Sequence, residues 1–189
     1  MRILAISGSL REASYNTRLL RTAAELAAGE EVELELWDGL KAVPPYDEDD
    51  DRDPAPEAVS RLREAIAGAD GILFATPEYN SSIPGQLKNA IDWASRPLAT
   101  NPLRNKPVAV IGSSTGMFGA VWAQAELRKV LAATGARVAE AEVAVGHAQT
   151  RFDEDGRLVD DEIREQLQEA VQVLAEEVLV AVERRAVPA

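Results

Sequence analysis

Three short, almost uninterrupted apolar segments constrain the fold of this 189-residue chain more than any other feature. They are ILAIS within Arg2–Ser7, GILFAT at Gly71–Thr76 and VAVIGS within Pro107–Ser113. Segments of this length and composition are typical of strands covered on both faces, as in a parallel sheet between layers of helices. We therefore expect an α/β fold with these three strands at its centre.

Two further strand candidates alternate between apolar and charged residues. Glu31–Trp37 reads EVELELW, and Arg137–Val145 interleaves two glutamates with alanine and valine. Such alternation indicates one solvated face and a position at the edge of a sheet. Helical patterns separate the strands, at Tyr15–Ala28, Pro56–Ala67, Pro84–Ser95, Phe118–Thr134 and Asp160–Arg184. Strict alternation of strand and helix predicts one domain over residues 1–189, with a five-stranded parallel sheet covered on both faces.

The edge assignments also predict the order of the strands. Placing strands two and five at the edges gives the order 2-1-3-4-5, whereas an order beginning 3-2-1 would put the apolar third strand at an edge. The predicted fold is therefore a flavodoxin-like three-layer α/β/α sandwich. Ligands of such sheets bind beyond the carboxyl ends of the strands, where the order reverses, so the binding loops should follow strands one, three and four.

Composition excludes several classes of site. The chain has no cysteine, which excludes disulfides and thiolate-bound metals, and a single histidine excludes a multi-histidine metal site within one chain. A net charge of −12 argues against nucleic-acid binding. No apolar run approaches the length of a membrane span, and the amino-terminal residues read as a strand and not as a signal peptide, so a cytoplasmic protein is expected.

The densest acidic segment is DEDDDRD at Asp47–Asp53. It lacks the glycine and the distal glutamate of an EF-hand calcium loop. We therefore expect a solvated, mobile loop in preference to a calcium site.

The loop after the first strand, SGSLREASYN, carries the chemistry of a phosphate site. It offers the hydroxyls of Ser9 and Ser14, the guanidinium of Arg11 and the amide of Asn16 immediately before a helix. The first turn of a helix has unpaired N–H groups and the positive end of the helix dipole, both of which suit a phosphate. A capped helix entrance with Ser14 as N-cap would account for Ser14, but not for Ser9 and Arg11.

The loops after the third and fourth strands suit a flat ring. TPEYNSSIPG combines a stiffening proline with the amphipathic ring of Tyr79 and the amide of Asn80, and SSTGMFGA offers small residues and hydroxyls. The alternatives are a stiff turn with Glu78 in solvent for the first segment and an ordinary strand-to-helix turn for the second. Ile91 and Trp93, in the helix that follows, are expected to be structural.

These segments, GSLREASYN, TPEYNSSIPGQLKNAIDWASRP and SSTGMFGA, resemble in order and spacing the NADPH-dependent FMN reductase family, which includes quinone, chromate and azo-dye reductases. The resemblance covers roughly residues 2–145. It implies non-covalently bound FMN, NADPH or NADH as electron donor, and a homodimer or dimer of dimers. By position, it implies phosphate contacts from Ser9, Arg11, Ser14 and Asn16, and ring contacts from Pro77, Glu78, Tyr79, Asn80, Ser81, Ser113 and Gly116.

The implied activity is transfer of two electrons from NAD(P)H through FMN to a small acceptor such as a quinone, an azo dye, chromate or a flavin. No side chain is assigned as catalytic acid or base, and no metal is expected. Two alternatives share the fold: a reductase that supplies free reduced FMN to a monooxygenase, and a non-catalytic flavodoxin-like electron carrier.

Overall fold

The architecture was determined from a computed structural model, which describes residues 1–28 and 31–186. Its strands are β1 (Arg2–Ser7), β2 (Glu33–Trp37), β3 (Gly71–Thr76), β4 (Pro107–Ser113), β5 (Arg137–Val138) and β6 (Ala144–Val145). Its α-helices are α1 (Tyr15–Ala27), α2 (Glu57–Gly68), α3 (Gly85–Ala94), α4 (Val121–Ala133) and α5 (Asp161–Ala186). Short 3₁₀ turns cover Gly39–Ala42, Glu48–Asp50 and Ala148–Thr150.

The sheet is parallel and has the order β2-β1-β3-β4-β5, with β6 also paired to β4. This confirms the flavodoxin-like order predicted from the sequence. Every residue of β3 and β4 is buried, whereas β2 exposes Glu33 and Glu35. The central strands are apolar on both sides because helices cover both faces of the sheet.

Alternate residues of each central strand enter two separate cores. Leu4 and Ile6 of β1 belong to the core that the sheet forms with α2, α3 and α4. Ile3 and Ala5 belong to the opposite core, formed with α1 and α5. Successive side chains of a strand point to opposite faces, so these two cores define the predicted three-layer sandwich. Trp93, as expected, is structural: it is fully buried, and its indole N–H donates to the carbonyl of Pro44 at 2.9 Å.

The fifth strand differs from the prediction, because Arg137–Val145 is not one strand. Pro107 pairs with Arg137, and Gly112 pairs with Ala144. The edge segment therefore contains two more residues than β4 between the same two pairs. This bulge separates β5 from β6. Arg128 of α4 fills the gap in the ladder, where its Nη2 donates to the carbonyls of Val110 at 3.1 Å and Ala141 at 3.0 Å.

Two other segments were predicted only in part. Helix α4 begins at Val121 and not at Phe118, because Gly119 and Ala120 adopt left-handed backbone conformations with φ of 60° and 64°. The acidic segment Asp47–Asp53 is mostly exposed, as expected. However, Asp51 forms an ion pair of 2.9 Å with Arg63, which anchors the end of the segment to α2.

The described residues contain neither a membrane-spanning helix nor a cluster of metal-binding side chains. None of the helices within residues 1–28 and 31–186 combines the length and the apolar composition needed to cross a bilayer. The same part of the chain contains no group of three or more acidic, histidine or cysteine side chains arranged to hold a metal ion.

Replacing Arg128 tests its role in the bulge. Arg128→Leu should lower the free energy of unfolding by about 2–4 kcal/mol, because two strand carbonyls lose their donor. Lys129→Leu, an exposed neighbour on the same helix with the same change of charge, should stay within about 0.5 kcal/mol of the wild type. Urea unfolding measures both. Equal stability of the two variants would contradict the proposed role of Arg128.

Candidate functional site

Eight of the eleven predicted site residues line one cleft at the carboxyl ends of β1, β3 and β4. They are Ser9, Arg11, Ser14, Asn16, Pro77, Glu78, Tyr79 and Ser113. Three residues that the sequence analysis did not select, Tyr15, Ser114 and Thr115, complete the lining. The cleft therefore lies at the predicted point of reversal between β1 and β3, and it has a volume of about 150 Å³.

The loop after β1 folds over the end of β3 before it enters α1. The N–H of Gly8 donates to the carbonyl of Ala75 at 2.8 Å, and a Cβ at Gly8 would lie 2.8 Å from Leu87 Cδ2. A side chain here would therefore crowd Leu87 of α3. The bond to Ala75 holds the loop against the end of β3 and places Ser9 at the cleft.

The entrance of α1 combines a cap with unpaired donors. The hydroxyl of Ser14 accepts from the N–H of Thr17 at 3.3 Å, so Ser14 is the N-cap, as the sequence suggested. The N–H groups of Tyr15 and Asn16 precede the first intrahelical bond and have no intrahelical acceptor. These donors and the dipole of α1 make the entrance suitable for an anion.

Two guanidinium groups contact the ring of Tyr15. Arg11 lies 5.2 Å and Arg18 lies 5.5 Å from its centroid. The Nε of Arg11 also donates to the carbonyl of Ala13 at 3.1 Å, so this side chain is held within the loop at the rim of the cleft. Tyr15 could have been found in the sequence from its position between the predicted phosphate contacts Ser14 and Asn16.

Asn16 has a structural role besides the predicted one. It is buried, its Oδ1 accepts from the N–H of Ser113 at 2.9 Å, and its Nδ2 donates to the carbonyl of Ser113 at 3.0 Å. The side chain thus joins the start of α1 to the end of β4. These two bonds occupy its carbonyl oxygen and one of its amide hydrogens, so Asn16 shapes the cleft as well as lining it.

The segment after β3 forms a tight turn. Tyr79 and Ser82 exchange backbone hydrogen bonds of 3.0 and 3.1 Å, and the two residues between them have positive φ angles of 52° and 59°. Positive φ at both central positions is the type I′ geometry. Asn80 and Ser81 therefore stand exposed at the tip of the turn, outside the cleft lining, contrary to their predicted position, while Tyr79 remains at the cleft.

Two carboxylates, one on each side, join this turn to helix α4. Glu78 accepts from the N–H of Ala123 at 3.0 Å, in the first turn of α4. The residue that precedes α4, Ala120, offers no capping side chain, so Glu78 supplies the missing acceptor at the positive end of the helix dipole. The hydroxyl of Ser82 also donates to Glu126 at 2.6 Å. Glu78 is thus a structural cap and not a freely solvated side chain.

The loop after β4 contributes an unpaired hydroxyl. Ser113 is buried, and its Oγ has no hydrogen-bond partner among the described residues, although it lines the cleft. Gly116 lies outside the lining, and a Cβ there would meet only Ser114 Oγ, at 3.6 Å. Within the same loop, Gly119 approaches the backbone of Ala144, where a Cβ would lie at 2.4 Å.

A buried amide fixes the same loop. Gln124 is fully buried, and its Nε2 donates to the carbonyls of Gly119 at 3.0 Å and Val143 at 3.2 Å. Its Oε1 accepts from Arg128 at 3.3 Å. Burial lowers the pKa of Arg128, and the nearby carboxylate of Glu142 opposes that effect. Helix α4 therefore positions both the turn after β3 and the loop after β4.

Asn16→Ala should open the cleft, because it removes both bonds to Ser113. We expect the free energy of unfolding to fall by about 1–3 kcal/mol. Gln168→Ala, which removes an exposed amide from α5, should leave stability nearly unchanged. Urea unfolding measures the change, and hydrogen exchange at Ser113 should be faster in Asn16→Ala alone. An unchanged exchange rate at Ser113 would show that the Asn16–Ser113 bonds are not needed to hold the end of β4.

Comparison with known proteins gives a consistent result. A family model described as NADPH-dependent FMN reductase matches residues 1–150. An NAD(P)H-dependent FMN reductase of Pseudomonas aeruginosa is 46% identical over 175 residues, which are 92% of this chain and 93% of that protein. A 2-hydroxy-1,4-benzoquinone reductase of a Burkholderia species is 39% identical over 169 residues, or 89% and 91% of the two chains.

A solved structure extends the likeness to three dimensions. The flavoenzyme NAD(P)H:(acceptor) oxidoreductase FerB of Paracoccus denitrificans superimposes with a TM-score of 0.83 at 36% identity. The match covers 95% of this chain and 98% of that one. The similarity thus includes the whole sheet and the three loops at its carboxyl edge.

Proposed function

This chain belongs to the NADPH-dependent FMN reductase family, and we propose that it holds FMN in the cleft at the carboxyl ends of β1, β3 and β4. It is an FMN-dependent NAD(P)H oxidoreductase. The observation that carries the assignment of the site is the convergence of the α1 entrance, Arg11 and the unpaired Ser113 hydroxyl on one cleft.

The residues present fit FMN at both ends of this cleft. The hydroxyls of Ser9 and Ser14, the free N–H groups of the α1 entrance and the guanidinium of Arg11 would bind the phosphate. Pro77 and Tyr79 would border one side of the ring system, and Ser113 would donate to a polar edge from the other side. Three further predicted residues lie outside the cleft lining: Asn80, Ser81 and Gly116. They would contact the ring only if the loops move, or would contact a ring bound to a second subunit.

Bound FMN supplies the redox chemistry of this family, since it can take two electrons from NAD(P)H and give them to an acceptor. The contribution of the chain is to bind and orient. Glu78 and Gln124 hold the two ring-bordering loops, and Asn16 sets the distance between α1 and β4. No side chain is required as acid or base, and we assign none.

We propose a quinone as the acceptor, with a dye, chromate or a flavin as further acceptors. The names of the relatives support a quinone, because they include a benzoquinone reductase and the quinone reductase of Escherichia coli, which is 37% identical over 163 residues. They favour neither a reductase that releases FMN nor a non-catalytic carrier.

Anaerobic reduction tests this function. Protein loaded with FMN should lose its flavin absorbance when NADPH or NADH is added and recover it when a benzoquinone follows. Arg11→Ala should raise the dissociation constant of FMN about tenfold or more, because a charge-assisted bond to phosphate is lost. Arg61→Ala, an exposed change on α2, is the charge-matched control. Wild-type protein that binds no FMN would contradict the proposal.

We further propose a cytoplasmic homodimer or dimer of dimers, and residues 1–189 as one domain, of which 29–30 and 187–189 lie outside the described residues. The cleft, at about 150 Å³, is smaller than the roughly 300–1,000 Å³ usual for small-molecule pockets, so it encloses only part of FMN. Four exposed apolar side chains near its rim support a subunit contact: Tyr79, Met117, Phe118 and Trp122.

Trp122→Glu should weaken self-association, because it places a charge in the proposed apolar contact. Sedimentation velocity should show a lighter species for Trp122→Glu than for the wild type at equal concentration. Leu98→Glu alters a still more exposed apolar residue that precedes β4 and should leave the mass unchanged. A monomeric wild type would contradict the proposed contact.

A further inference from the structure

A second cleft lies beside the first, on the other side of the loop that follows β1. It is bounded by the carboxyl ends of β1 and β2, by α1 and by the Gly39–Ala42 turn, and its volume is about 590 Å³. That volume falls within the range of pockets that bind small molecules and cofactors. Ser9 and Arg11 line both clefts, so the loop after β1 contributes a wall to each of them.

The lining combines an apolar floor with a charged rim. Leu36, Trp37 and Leu40 are among the apolar contributors. The rim carries three cations, Arg11, Arg21 and Lys41, and two carboxylates, Glu12 and Asp38. A largely apolar pocket with a few convergent polar groups is the usual form of a ligand site.

The charged groups of the rim are available for a ligand. Arg21, Lys41 and Asp38 are exposed, and none of them forms a hydrogen bond or an ion pair with another described residue. With Arg11 assigned to the FMN phosphate, Arg21 and Lys41 balance Glu12 and Asp38, whereas the whole chain has a net charge of −12. A phosphate-bearing ligand, which the chain as a whole repels, would therefore meet less repulsion at this rim and could pair there with Arg21 and Lys41.

We propose that this second cleft binds the adenosine diphosphate part of the nicotinamide dinucleotide donor. Lys41 and Arg21 would pair with its phosphates, Asp38 would accept from ribose hydroxyls, and the apolar floor would cover the adenine. The nicotinamide would then cross the loop at Ser9 and Arg11 to reach the first cleft. This inference rests on the proposed function, since it assumes FMN in that first cleft.

The sequence supports a separate position for the donor. The chain contains neither a GxGxxG dinucleotide fingerprint nor a Walker A loop. The α1 entrance is the anion site at the end of β1, and the FMN phosphate would occupy it. The diphosphate of the donor therefore needs another site, and the second cleft is an adjoining cleft whose rim offers the unpaired cations Arg21 and Lys41.

A pair of electron donors provides the test. NADPH and reduced nicotinamide riboside carry the same reacting ring, but the riboside lacks the diphosphate as well as the adenosine. In stopped-flow reduction of the FMN-loaded protein, Lys41→Ala and Arg21→Ala should each raise the dissociation constant of NADPH about tenfold. The constant for the riboside should stay as in the wild type, and Arg61→Ala, the exposed control on α2, should change neither.

Equal shifts for both donors, or no shift for NADPH, would overturn the inference. Calorimetric titration with ADP separates it from the proposed function, since this binding requires neither flavin nor electron transfer. We expect ADP to bind the wild type and to bind Lys41→Ala much more weakly. If the wild type is reduced by both donors but binds no ADP, the proposed role of the second cleft alone is contradicted. If it binds ADP but is reduced by neither donor, the role of the second cleft is supported and the proposed function is contradicted.

Discussion

The pair of hydrogen bonds between Asn16 and Ser113 is the constraint on which the candidate site depends. β3 lies between β1 and β4 in the sheet, so the chain that leaves β1 must cross the end of β3 before it can reach β4. The Gly8–Ala75 bond begins this crossing and the Asn16–Ser113 pair completes it. The α1 entrance is thereby held against the unpaired hydroxyl of Ser113. A buried amide with both of its groups satisfied favours this single arrangement, since either partner alone would be left unpaired.

Helix α4 provides the second constraint. Glu78 and Gln124 link its first two turns to the segments after β3 and β4, which form the side of the cleft opposite the α1 entrance. The Glu78 link spans 45 residues of sequence, and Gln124 also reaches Val143, 19 residues away, so the loops owe their positions to tertiary contacts more than to their own turn chemistry. A site built in this way combines exposed ring-facing side chains with a rigid support, which suits a cofactor that has to be bound in one orientation and still be reached by a second molecule.

Local patterns explain which parts of the fold were predictable. The bounds of β1, β3 and β4 were exact because burial on both faces makes each strand a continuous apolar run. The split between β5 and β6 was missed because it depends on Arg128, which lies on another element. The role of Asn16 was missed for the same reason, since its partner is 97 residues away. Asn80 and Ser81 were placed at the ring because polarity alone does not distinguish the wall of a cleft from the tip of a turn.

A crystal structure of the protein grown with FMN tests the central claim most directly. The account predicts density for the phosphate at the α1 entrance, within hydrogen-bonding distance of Ser9 or Ser14, and for the ring system between Tyr79 and Ser113. It also predicts that the Asn16–Ser113 pair is unchanged when the cofactor is bound. FMN bound outside this cleft, or a phosphate far from the α1 entrance, would contradict the account.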